Sequence, residues 1–259
     1  MRIAVCVKYV PDASGHRTFG PDDTVDRVGV DGMLSELDEY AVEEALRIRD
    51  DLGGEVVIVT TGPEQARAAI LKSLQMGADA GVHVLDDAIH GSDAVGTSYV
   101  LARALERQGA DLVICGMAST DGSMGVVPAM LAERLRLPQV TLASEVTVDG
   151  STVRIRRDGD AATEVVEARL PLLLSVTDQC NEPRYPSFKA IMAAKKKPVE
   201  VLTLADLGIT ADEVGLDSAW TRVVSHQERP PRSAGTIVTD DDGDGARQLV
   251  DFLAGQKFI

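Results

Sequence analysis

Residues 55–85 read EVVIVTTGPEQARAAILKSLQMGADAGVHVL. The run from Glu55 to Thr61 is apolar almost without a break, as in a strand covered on both faces and shielded from water. Gly62 and Pro63 stop it. Glu64 to Met76 then places apolar side chains at helical spacing, Gly77 closes that helix, and Gly81 to Leu85 is another short strand. Two strands joined through one helix pair in parallel, because the crossover returns the chain to the same end of the sheet.

The same rhythm extends in both directions. Arg2 to Val10 (RIAVCVKYV) reads as the first strand and ends at Pro11-Asp12, and Glu39 to Leu52 reads as a helix stopped by Gly53-Gly54. Ser92 and Asp93 offer an N-cap to a helix that Gly109 closes, DLVICG at 111–116 is a further strand, and a helix is expected over about 123–135. The fold class is therefore α/β, a parallel, Rossmann-like sheet with helices on both faces. After Pro138 the rhythm changes: Asp149-Gly150 and Asp158-Gly159 are hairpin turns, so an antiparallel hairpin extension precedes the apolar LPLLLSV at 170–176. Beyond Pro198 the chain loses regular packing cues and is rich in Pro, Gly and charge before a last short helix, ARQLVDFLAGQ. The expected division is an α/β domain over 1–197 and an extended C-terminal arm over 198–259.

A formal charge of -15 argues against a nucleic-acid or anionic-membrane binder, since phosphate would be repelled on average. No run of about 18 apolar residues is present to span a bilayer, and Met1-Arg2 leads straight into a strand, so a cytoplasmic protein is expected. Cys6, Cys115 and Cys180 are far apart and read as buried reduced thiols, while His16, His83, His90 and His226 lack metal-ligand spacing. No Ser-His-Asp order, GxSxG elbow, CxxC or paired-carboxylate site occurs, so the chain reads as a binding or carrier protein, not an enzyme.

Ligands of an open parallel sheet sit at the carboxyl ends of its strands. Three such ends stand out: Tyr9 to Ala13, Thr60 to Pro63, and the turn GMASTDGSMGVV at 116–127. Small residues in that turn let backbone amides approach an anion, which makes it either a phosphate cradle or only a tight strand-to-helix turn. It is neither a P-loop nor GxGxxG. Asp121 is expected to cap the following helix, and Glu39, Glu43 and Glu44 to form a solvated helix face.

A second stretch, CNEPRYPSFKAIMAAKKK at 180–197, is cationic on an acidic protein. Ser187 caps a short helix on which Phe188, Ile191, Met192 and Lys195 share a face, and Lys195, Lys196 and Lys197 complement its C-terminal dipole. Asn181 to Arg184 is expected to fix the base of the loop through side-chain hydrogen bonds.

NEPRYPSFKAIMAAKKKP closely resembles the segment that marks the beta subunit of electron transfer flavoprotein, the family that includes the FixA proteins. VCVKYVPD, EYAVEEALRIRD, TGPEQARAAILKSLQMGAD, GVHVLDD, STDG, LPQVT and the region RRDGD…VVEARLPLLLSV follow in that family's order, so the resemblance covers essentially the whole chain.

The resemblance implies a heterodimer with an alpha subunit. An FAD bound chiefly by alpha would carry single electrons from dehydrogenases, such as acyl-CoA dehydrogenases, to a membrane quinone oxidoreductase or another acceptor. It also implies an AMP buried in the core of this chain, replaced by a second FAD in electron-bifurcating members. Carried onto this sequence, the AMP pocket falls on Cys6, Ser35, Glu36, Leu37, Asp38 and Thr61. It continues on Gly116, Met117, Ala118, Ser119, Thr120, Asp121, Gly122, Ser123, Met124, Gly125, Val126 and Val127, with the phosphate against the amides of Gly122 to Val127. The segment 181–197 corresponds to the partner-recognition loop, in which Phe188 would anchor in the dehydrogenase and the lysines would steer it. The arm would pack on the alpha subunit, and Ala13 stands where some members place a Tyr near the flavin. A stand-alone nucleotide module of the universal-stress type would explain the first four strands but leave residues 180–259 without purpose, and an ATP-dependent enzyme would need a catalytic lysine or metal-binding acids at the 116–127 turn.

Overall fold

The computed structural model describes every residue except Ala13, His16, Glu228, Arg229, Pro231–Ala234, Thr236 and Asp241. Its first unit, Met1–Val224, is organised by seven strands hydrogen-bonded in parallel. In chain order these are β1 (Arg2–Cys6), β4 (Glu55–Thr61), β5 (Ala80–Val84), β6 (Leu112–Gly116), β7 (Gln139–Ala143), β11 (Leu172–Val176) and β12 (Val199–Leu202). In space they run β12-β5-β4-β1-β6-β11-β7. The residues 55–85 that set the fold class supply β4, α2 (Arg67–Met76) and β5, and register pairs Val57 with Ala80 and Thr61 with Val84.

Alternation along the strands divides the core between the two sheet faces. Ile3, Val5, Val56 and Ile58 pack with α2 and with α1 (Glu36–Leu52), whereas Ala4, Cys6, Val57 and Val59 pack with α3 (Ala94–Gln108) and α4 (Val127–Leu135). Both layers are closed to solvent: Ile3 and Ile58 on the first face and Leu131 and Leu173 on the second are fully buried, and truncating such a side chain to Ala costs about 2–5 kcal/mol. Asp93 caps α3 by accepting from the amides of Val95 and Gly96 at 2.9 and 3.0 Å, and Gly109 ends it in the left-handed region at φ 60°. The hairpin extension is a three-stranded antiparallel sheet of β8 (Glu145–Asp149), β9 (Thr152–Asp158) and β10 (Thr163–Arg169), turned at Gly150 as expected. No helix among the described residues is long and apolar enough to cross a membrane.

Two expectations are corrected. The Arg2–Val10 run is not one strand. It breaks after Cys6, and β2 (Tyr9–Pro11) pairs antiparallel with β3 (Gly32–Leu34) in a separate two-stranded ladder. Nor are packing cues lost beyond Pro198: β12 extends the main sheet along β5, and Leu202, Leu204, Leu207, Ile209 and Val214 are buried in the core. The boundary expected at 197/198 therefore falls inside the first unit, which runs to Val224. In the second unit, Ser225–Ile259, the regular element among the described residues is α6 (Gly245–Gly255), which carries exposed Leu249, Val250 and Phe252.

Asp38, in the first turn of α1, braces the middle of the sheet. It is buried, and one of its carboxylate oxygens accepts the Lys8 amide at 2.8 Å. A Cβ on Gly116, at the end of β6, would lie 2.6 Å from its other oxygen and 2.8 Å from the Leu37 carbonyl, so only glycine permits this approach. Burial raises the Asp38 carboxyl to about 7, against hydrogen bonds from the Lys8 and Gly116 amides that favour the charged form.

The native state therefore keeps a proton that the unfolded chain releases near 3.8. Stability from this group is greatest below that value and falls until pH passes about 7, a change on the order of 4 kcal/mol. Asp38→Asn is expected to flatten this decline in urea unfolding between those pH values, while losing one amide bond worth about 1 kcal/mol. A slope identical to that of the wild type would contradict the raised carboxyl.

Candidate nucleotide site and partner-facing loop

From β1 the chain proceeds to β4 and β5 on one side and then crosses back to β6 on the other. The strand order thus reverses between β1 and β6, and their carboxyl ends open a crevice. Several of the expected residues meet here. Cys6 is in register with Cys115 on β6, Thr61 ends the neighbouring β4, and Leu37 and Asp38 press against Gly116. Ser35 follows β3 and donates its amide to the Lys8 carbonyl at 2.9 Å, while Glu36 is exposed. The Cys115 thiol is raised well above the usual range, chiefly by its hydrogen bond with Cys6 and by burial, and both cysteines are buried and free of any disulfide.

Among the described residues, the Ser35 and Thr61 hydroxyls are buried without a hydrogen-bond partner. Each such group costs about 1–3 kcal/mol unless something polar meets it. Two unpartnered hydroxyls at the carboxyl edge fit the edges of a purine or ribose.

The turn from Met117 to Val126 supplies the other end. Ser123 and Gly125 adopt left-handed backbone at φ 53° and 65°, and α4 begins at Val127, four residues later than the spacing predicts, with Pro128 in its first turn and no side-chain cap. The Gly122 amide is taken by Asp121 Oδ1 at 2.6 Å and the Ser123 amide by the Ser119 carbonyl at 3.0 Å. Among the described residues, the amides from Met124 to Val127 carry no such bond. Successive free amides at a helix start form an anion cradle, narrower than the Gly122–Val127 span implied by the resemblance.

Asp121 does not cap α4. Its side chain is 1% exposed and is held by Lys8 Nζ at 2.8 Å and by the Arg27 guanidinium. Burial opposes its charge, but Lys8 and then Arg27 outweigh burial and keep the carboxyl well below the usual carboxylate range. Arg17 donates to the Thr120 carbonyl at 2.7 Å. These three cations were not singled out in the sequence, because 94 to 113 residues separate Arg27 and Lys8 from their shared partner.

The 180–197 segment is built on α1. Glu43 and Glu44, expected to be solvated, are 5% and 3% exposed. Arg184 grips both oxygens of Glu43, with Nε at 2.8 Å from Oε2 and Nη2 at 3.1 Å from Oε1, and reaches Asp50 at 3.0 Å. Asn181 donates to the Tyr40 carbonyl at 3.0 Å and to Glu44 at 3.1 Å. The loop base is therefore held by side-chain bonds, as expected of Asn181 to Arg184.

Ser187 accepts the Ala190 amide and starts α5 (Phe188–Ala194). Phe188 is 81% exposed, Met192 is exposed, and Ile191 is half-buried. Tyr185, at 94% exposure, is a second projecting aromatic that the reading of helix periodicity passed over, because it precedes the helix. Lys195 and Lys196 are exposed, but Lys197 is turned inward and donates to the carbonyls of Leu74 and Ala78 at the end of α2. Ala13 lies outside the described residues.

Residues 22–207 match the electron transfer flavoprotein domain family. The chain is 48% identical to the electron transfer flavoprotein subunit beta of Mycobacterium leprae, over 99% of each chain. It is 36% identical to the subunit of the same name from Thermoanaerobacterium thermosaccharolyticum over the full length of both. It is also 32% identical, over the full length of both, to the acryloyl-CoA reductase electron transfer subunit gamma of Anaerotignum propionicum. Matches of this extent, on a parallel sheet with its hairpin extension, show that the chain belongs to the electron transfer flavoprotein family as a beta subunit.

Proposed function

We propose that this beta subunit holds an AMP in the crevice between β1 and β6 and pairs with an alpha subunit that binds most of an FAD. The observation that carries the AMP reading is the match of donors to ligand. The unpartnered Ser35 and Thr61 hydroxyls lie at one side of the carboxyl edge, and the free amides from Met124 to Val127 form an anion cradle at the start of α4. When bound, FAD supplies one-electron chemistry; this chain shapes the complex and docks its partners. It acts as a carrier subunit in the cytoplasm and not as an enzyme in its own right.

Electrons would enter from dehydrogenases, including acyl-CoA dehydrogenases, and leave to a quinone oxidoreductase or another acceptor. Phe188 and Tyr185 stand out from a loop whose base Arg184 and Asn181 immobilise on α1, so the aromatic anchors are presented with little ordering cost. Lys195 and Lys196 beside them add local positive charge to an acidic surface. The second unit, with exposed Leu249, Val250, Phe252, Phe258 and Ile259, is the segment proposed to pack on the alpha subunit.

Mass spectrometry of small molecules released from the denatured heterodimer is expected to give one AMP and one FAD. Two FAD and no AMP would replace this reading with that of an electron-bifurcating subunit. Phe188→Ala is expected to leave nucleotide content and assembly intact but to slow reduction by the cognate dehydrogenase about tenfold or more, as loss of a buried aromatic anchor does at an interface. Unchanged stopped-flow rates would remove Phe188 from the docking surface.

A further inference from the structure

The loop that precedes α4 carries more positive charge than its own structure needs. Lys8 Nζ lies 2.8 Å from Asp121 Oδ1, 3.4 Å from Ser119 Oγ and 3.7 Å from the position a Cβ on Gly122 would take. Arg27 occupies the other oxygen of the same carboxylate. Asp121 thus faces two cations on a protein of formal charge -15, and the cations repel each other across it. The other acid in the field of Lys8, Asp38, is raised to about 7 by burial and offers only part of a charge. A structural lock would require only one of the two cations.

Arg27 is also held in place from outside the cluster. Asp22, five residues before it, accepts from His90 Nε2 at 2.7 Å, and Arg17 is bonded to the Thr120 carbonyl. The β2–β3 ladder closes after it, with Pro11 opposite Gly32. The guanidinium is therefore delivered to the loop by a segment anchored on both sides.

The surplus charge adjoins Gly122, two residues before the free amides of Met124 to Val127, and the unpartnered Ser35 hydroxyl belongs to a residue whose amide is bonded to Lys8. We propose that Lys8 and Arg27 determine the charge of the ligand: they make the crevice select a phosphorylated nucleoside over the bare nucleoside. Asp121 holds the two cations apart and in place, and a phosphate supplies the negative charge that Asp121 and the largely protonated Asp38 leave unmatched below pH 7. The inference rests on the AMP reading.

The test offers equimolar isotope-labelled AMP and adenosine to the heterodimer purified with its alpha partner, and measures the bound ratio by mass spectrometry. The wild type is expected to prefer AMP strongly. Lys8→Gln and Arg27→Gln are each expected to lower the ratio about tenfold, the loss of one charge-assisted contact. Asp121→Asn, which removes the negative charge and keeps both cations, is expected to hold the ratio or raise it.

The proposal is overturned if neither Gln variant moves the ratio beyond twofold. It is equally overturned if Asp121→Asn lowers the ratio as far as they do, since the cations would then act only by holding the loop. Should neither Gln variant assemble, the wild type decides: AMP preference must fall with rising salt, and a flat response contradicts the assignment. Uptake of adenosine as readily as AMP sinks the charge selection while leaving a nucleoside site, whereas uptake of neither sinks the AMP reading itself.

Discussion

The buried carboxylate of Asp38 joins the two sides of the crevice. It receives the amide of Lys8, just past β1, and lies against Gly116 at the end of β6, so the strand ends where the sheet reverses order are held by one side chain from α1. A carboxylate placed so deep is costly when charged, and its raised pKa records that cost. The consequences reach outward. With Lys8 placed by its amide, its ammonium group meets Asp121; with Asp121 placed, the turn into α4 takes the shape that leaves the amides of Met124 to Val127 free.

An acidic protein can hold an anion only where local geometry overrides the general field. The proposed site combines backbone donors at a helix start, two cations on one acid, and hydroxyls with no partner among the described residues. The opposite face of α1 uses charge differently. Glu43 and Glu44 are sunk beneath the 180–187 loop and matched by Arg184 and Asn181. That match fixes the place from which Phe188 and Tyr185 project. One helix therefore braces both the β1–β6 crevice and the base of the 180–187 loop.

The parallel sheet was legible because residues 55–85 carry both periodicities, an unbroken apolar run and then a helical one, with glycines at the joins. Asp93 as a cap, Gly109 as a stop and Ser187 as a cap were legible for the same reason: each acts within three or four residues of itself. Interactions across long chain separations were not. Glu43 and Glu44 look like a solvated face until Arg184, 141 residues away, covers them. Asp121 looks like a helix cap until Lys8 and Arg27 arrive from elsewhere in the chain. The strand at Val199–Leu202 has exposed Glu200 and Val201 beside buried Leu202, so its alternation is short and its place is set by the edge of β5, not by its own composition. The crevice residues Ser35 to Asp38 came from family resemblance alone, since nothing local marks a loop whose role is to approach Gly116.

The central claim is that the reversal between β1 and β6 holds a nucleotide whose phosphate rests on the start of α4. A crystal structure of the heterodimer tests it most directly. The account predicts electron density for one AMP, with phosphate oxygens within hydrogen-bond distance of the amides from Met124 to Val127 and the ribose or base within reach of the Ser35 and Thr61 hydroxyls. A crevice filled by side chains, or a nucleotide whose phosphate points away from those amides, would contradict it.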